Sequence, residues 1–122
     1  MHKISLFLFA VVLVYSCKLS DPPCLKAKVV RVSCASFVIQ VLNKDSVGSY
    51  GWKDISGNGV YNNVFAVANS CKVGKWSKGE EFYFTLVDSP QTSDCMTCMM
   101  FDAPPEKSYM IENVSATCKA TK

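Results

Sequence analysis

Six cysteines, Cys24, Cys34, Cys71, Cys95, Cys98 and Cys118, are spread between residue 24 and the end of a 122-residue chain. No other feature narrows the choice of fold as far. An even number of cysteines in a short chain that enters an oxidising compartment predicts three structural disulfides. A domain of this size has a marginal core, because small domains bury a smaller fraction of their surface. Each bridge contributes about 2 to 4 kcal/mol, largely by restricting the unfolded chain, so the three together supply much of the net stability. Six cysteines allow about fifteen pairings, and spacing does not choose among them.

The compartment is read from the N-terminus. His2 and Lys3 give a positive start, and Ile4 to Tyr15 (ISLFLFAVVLVY) is apolar apart from Ser5 and the closing tyrosine. As a helix that run reaches only about 18 Å, against the roughly 30 Å of a hydrocarbon core, so it reads as a signal-peptide core and not a membrane span. Val14 and Ser16 suit the small-residue positions before a cleavage site. This divides the chain into a signal peptide (1–16), an N-terminal tether (17–23) and a single disulfide-rich β domain (24–122), secreted to the extracellular space. Cys17 is the odd thiol, whether trimmed away, free, paired outside the framework or acylated.

The formal charge of +3 is spread along the chain and drops when Lys3 leaves, so no nucleic-acid footprint is present. The one concentration is Lys72, Lys75 and Lys78 around Trp76, with Glu80 and Glu81 following at once. It is either a contact for an acidic polysaccharide or protein surface, or a solvated loop.

Strand patterns dominate the mature chain. Lys26 to Val32 (KAKVVRV) and Ser36 to Leu42 (SFVIQVL) are rich in β-branched residues, forming a hairpin or one bent strand, and the second is apolar on nearly both faces. Asn43 to Asn63 is polar and glycine-bearing, a long loop or irregular hairpin carrying Tyr50, Trp52 and Tyr61. These aromatics either contact a partner or fold back over an open end of the sheet. Val64 to Asn69 reads as a strand. Glu81 to Val87 (EFYFTLV) is the clearest one, with Phe82, Phe84 and Leu86 on one face. Asp88-Ser89-Pro90 ends it, and Ser108 to Cys118 reads as a last strand. The expectation is a mainly β fold: a small disulfide-stapled OB-like barrel or sandwich of five to six strands with little helix.

The only histidine is His2, which leaves with the signal peptide. A mature chain without histidine has no Ser-His-Asp, Cys-His or histidine-ligated zinc centre, and no carboxylate pair stands out. No enzyme, cofactor or metal is expected. Cys95-x-x-Cys98 lacks the helix-start setting of a redox pair and the second half of a zinc knuckle, so its cysteines are expected to bond different distant partners. Met96, Met99 and Met100 beside Phe101 read first as core filler next to a disulfide, with a soft metal or partner surface as the alternative. Asn113-Val114-Ser115 is an N-glycosylation sequon if the host is eukaryotic.

The run Cys34-Ala35-Ser36-Phe37-Val38-Ile39-Gln40-Val41, then Lys78-Gly79-Glu80-Glu81-Phe82-Tyr83-Phe84, a serine-bearing turn closing at Cys95, and Lys107-Ser108-Tyr109-Met110-Ile111 together resemble the netrin-like module of netrins and tissue inhibitors of metalloproteinases. The resemblance implies an OB-type barrel. Its inhibitor branch implies that a mature N-terminal Cys17 would offer its α-amino group and carbonyl to a proteinase zinc. Three functions follow as expectations: a non-catalytic extracellular binding or matrix module, a metalloproteinase inhibitor acting through Cys17, and a secreted toxin or defence protein. The first would use Tyr50, Trp52, Trp76 and the three lysines, against an extracellular protein or acidic polysaccharide.

Overall fold

The computed structural model describes residues 23–55, 57, 59–87, 95, 96 and 98–118. The expected signal peptide (1–16), Cys17 and the strand-ending Asp88-Ser89-Pro90 expected from sequence lie outside the described residues. β1 (Leu25–Val32) and β2 (Phe37–Val41) are antiparallel arms of a hairpin, which settles the choice against one bent strand. Ser33 shapes its turn, where the hydroxyl accepts from the backbone N–H groups of Ala35 and Ser36. This side chain stands in for a backbone turn partner. The glycine-bearing segment is an irregular hairpin of two short strands, β3 (Trp52–Lys53) and β4 (Val60–Tyr61). β5 (Val64–Val67) ends two residues before Asn69, where the chain turns into a short 3-10 turn at Ser70–Lys72. β6 (Glu81–Leu86) lies where the alternation places it.

The last strand is two strands, a correction to the single run from Ser108 to Cys118. β7 (Ser108–Tyr109) pairs parallel with β5, and β8 (Ile111–Ser115) pairs antiparallel with β6. The six-stranded sheet runs β7-β5-β2-β1-β6-β8, so strands separated by one residue occupy its opposite edges. In a flat sheet those edges would lie about 24 Å apart, five strand spacings. The chain from Tyr109 to Ile111 spans at most about 7 Å. The sheet must therefore curl until its edges meet: Ala68 N–H donates to the Tyr109 carbonyl at one edge, and Val87 N–H donates to the Met110 carbonyl at the other. The result is a mainly β, OB-like half-barrel held by three disulfides.

Its interior is aromatic. Phe65, Phe82 and Phe84 are wholly buried with Ala27, Val29, Ile39 and Ile111. Phe65 meets Phe84 edge-on at 6.0 Å and Tyr109 at 4.9 Å, the offset geometry that ring quadrupoles favour. β2 is buried on both faces, as its sequence predicts, because Val38 belongs to a second apolar cluster on the outer face with Val30 and Val64. Trp52 and Tyr61 close that cluster, so the β3–β4 hairpin folds back over the sheet. Gly48 permits this path. Its φ is +97°, and a Cβ there would lie 2.6 Å from the Val64 carbonyl oxygen, a conformation and a contact that only glycine tolerates.

Met96, Met99, Met100 and Phe101 are not core filler. Met99 and Met96 are fully exposed, Phe101 is 84 % exposed and Met100 about half. The reason is topological: the interior is already filled by residues from β1, β2, β5, β6 and β8, so this segment passes outside the curled sheet.

Candidate functional site

β1 alternates inward at Ala27 and Val29, which would send Arg31 into the aromatic core. A β-bulge prevents this. The register slips between Val29, opposite Ile39, and Arg31, opposite Val38, so Arg31 shares the outer face with Val38. An extra residue on one strand is the standard way to re-aim a side chain.

There the buried guanidinium meets two buried carboxylates. Arg31 Nη1 lies 3.0 Å from Asp54 Oδ1, and Nη2 lies 3.4 Å from Asp102 Oδ1 and 3.0 Å from Ser36 Oγ. The Trp52 ring covers the guanidinium at 4.9 Å while its Nε1–H donates to the Ala103 carbonyl at 2.9 Å. Asp102 Oδ2 also accepts from the hydroxyls of Ser33 and Ser36, the latter at 2.7 Å. Burial alone would push the Asp102 carboxyl upward. The two serine hydroxyls and then the Arg31 charge outweigh it and hold the group below its ordinary value of 3.8. The donors and acceptors named here are engaged with one another, the pattern of a structural anchor, while Arg31 Nε, also buried, has no hydrogen-bond partner among the described residues.

What the network anchors is the exposed methionine segment. Cys98 is bonded to Cys34, and its N–H donates to the Cys34 carbonyl at 3.1 Å. Three residues follow, Met99, Met100 and Phe101, and then Asp102 is buried at 6 % exposure. The apolar tip is thus pinned on one side by a disulfide and on the other by a buried carboxylate. Beside it, Val32, Ile55, Met100 and Phe101, together with Arg31, Ser33 and Asp102 of the network, line a depression of about 240 Å³. Contiguous exposed apolar surface of this kind marks contact sites, and methionine and phenylalanine suit them by polarizability and size.

The lysine turn lies at the same end of the barrel. β1 and β5 point the same way and β2 and β6 the opposite way. One pole therefore carries the Ser33–Ser36 turn, the chain from Ser70 to Glu80 and, through Cys34–Cys98 and Cys71–Cys95, the methionine tip. Cys24–Cys118 lies at the start of β1, toward the other end. The two CxxC cysteines do bond different distant partners, as expected.

Lys72, Lys75 and Lys78 are all exposed. Trp76, proposed from sequence as a contact, packs 4.8 Å from Phe82 and donates its Nε1–H to the Val73 carbonyl, so it roots the turn in the core. Tyr50 is exposed, its hydroxyl accepting from Ser46 N–H, whereas Trp52 is given over to the Arg31 network. Asn113 is exposed on β8 with φ of 55°, and its Nδ2 donates to Thr85 Oγ1.

Sequence reasoning missed Ser33, Ser36, Arg31, Asp54 and Asp102 as a unit. One signal was present: Arg31 is a lone charge inside the apolar run VVRV, and a buried charge must find partners. Among the described residues, no cluster of metal-binding side chains occurs, and no helix is long and apolar enough to cross a membrane. No family model, curated protein or solved structure matches the chain.

Proposed function

We propose that the protein is a secreted, non-catalytic extracellular binding module whose contact surface is the pole where the methionine tip meets the lysine turn. The observation that carries this reading is the tip itself, three consecutive exposed apolar residues held between the Cys34–Cys98 bridge and buried Asp102. Exposing Met99, Met100 and Phe101 to water is unfavourable by the area rule, and ordering them beforehand removes the entropic cost of fixing them on contact. The disulfides and the apolar run at residues 4–15 support secretion. Use of Asp102, Ser33 and Ser36 as anchors supports a role without chemistry.

The test is retention of the mature, disulfide-bonded protein on surfaces presenting matrix proteins, sulfated polysaccharide or phospholipid, compared with Met99→Ser/Phe101→Ser and with Lys72→Gln/Lys75→Gln/Lys78→Gln. Retention on at least one surface, weakened by at least one set, is expected. Retention on none, or retention unaffected by both sets, refutes the assignment. A mature chain that begins at Cys17 with a free amine and inhibits a metalloproteinase would replace it with the inhibitor mechanism.

A further inference from the structure

Resting on that reading, we propose that the pole docks on an anionic phospholipid surface, with Met99, Met100 and Phe101 entering the interfacial layer and Lys72, Lys75 and Lys78 meeting the headgroup phosphates. The two features must be explained together, because two disulfides tie them to one end of the barrel: Cys71, next to Lys72, is bonded to Cys95, next to Met96. An acidic polysaccharide is polar throughout and offers the three apolar side chains nothing. An apolar protein groove would receive the tip and leave the lysines unused. A bilayer with anionic headgroups presents both layers in the right order, negative charge outside and an apolar boundary a few ångströms beneath.

The surrounding charges are compatible with this orientation. Cys95, Met96, Cys98, Met99, Met100 and Phe101 carry no charged group, and the nearest buried charges, Arg31, Asp54 and Asp102, are engaged with one another. Glu80 turns its carboxylate back to accept from Ser77 N–H at 2.8 Å, and Glu81 faces Lys26 at 3.9 Å. Glu106 and Lys107, beyond Pro105, offset each other in sequence. Among the described residues, the exposed Lys72, Lys75 and Lys78 form no ion pair. Met99 at the tip is fully exposed, and the tip's two anchors let it enter the interface without first being ordered.

The experiment is co-sedimentation of the mature, oxidised protein with vesicles of phosphatidylcholine alone and with one third phosphatidylserine, at low and high salt. Binding to the mixed vesicles and not to the neutral ones is expected. Met99→Ser/Phe101→Ser should weaken it at least about tenfold, from the apolar area no longer transferred. Neutralising the lysines should weaken it by about fivefold per lysine and flatten its salt dependence. Unchanged thermal midpoints for both variants show that the fold is intact. Equal affinity for the two vesicle types overturns the proposal, as does anionic binding that the tip variant leaves unchanged. Retention on sulfated polysaccharide or a matrix protein without vesicle binding also overturns it while leaving the binding-module assignment standing. Failure on every surface sinks both.

Discussion

Arg31→Met is the perturbation that most directly probes how the pole is built. It removes the cation facing Asp54 and Asp102, whose side chains are 2 % and 8 % exposed, and replaces it with an apolar chain of similar reach that still packs under Trp52. Two carboxylates are then left in a dry site without their cation. Removing one partner from a buried pair costs about 3 to 5 kcal/mol, nearly all of it the desolvation of the charge that remains. Against a net stability of about 5 to 15 kcal/mol for a domain, that is a large share. Urea unfolding under non-reducing conditions, followed by the fluorescence of Trp52 and Trp76, should show a lower midpoint at unchanged slope. The triple variant Arg31→Met/Asp54→Leu/Asp102→Leu carries no buried charge at all, so it should recover most of the loss. An Arg31→Met protein within about 0.5 kcal/mol of the parent, where simple surface substitutions fall, would refute the reasoning. So would a triple variant less stable than the single one.

Asp102 sets the acid limit of this site. Its carboxyl is held below 3.8 in the fold, so its contribution is complete above that pH and is lost as the pH falls through the native value; Asp102→Asn should flatten the acid limb of a stability profile. Gly48→Ala should destabilise by about 2 to 5 kcal/mol, overpacking against Val64 adding to the positive-φ backbone term. Gly51→Ala, with φ of +68° but nothing within 4 Å, should cost only the left-handed backbone term of about 1 to 2 kcal/mol, measured by the same urea series. Phe84→Ala should cost about 3 to 5 kcal/mol as a core cavity, whereas Phe101→Ser should leave the thermal midpoint unchanged, a contrast that a scanning calorimeter reads directly. Peptide mapping of the oxidised protein should recover Cys24 with Cys118, Cys34 with Cys98 and Cys71 with Cys95.

The strands were legible where a single physical signal governs them. The alternation of Phe82, Phe84 and Leu86 defines β6, and the two-faced apolar character of β2 follows from burial on both sides. Sequence failed where the deciding contact is long-range. Ser108 to Cys118 is a plausible continuous strand by composition, yet Met110 sits at the point where the curled sheet brings its edges together. The methionine run misled for a related reason: apolar residues beside cysteines suit a core, and only the filled interior shows that there is no room for them. The Arg31 network required knowing that a bulge turns one residue outward and that residues 23 and 71 positions away converge on it.

By itself the sequence determined that this is a cysteine-framed, mainly β chain, with its two CxxC cysteines expected in separate bridges. Those properties follow from residue type and short-range periodicity, which local chemistry dictates. The tertiary structure alone decided the pairing of the six cysteines, the closure of the sheet through one residue and the placement of the methionine tip beside the lysine turn. Each of these depends on which distant segments share a surface once the strands curl, and spacing along the chain carries no record of that.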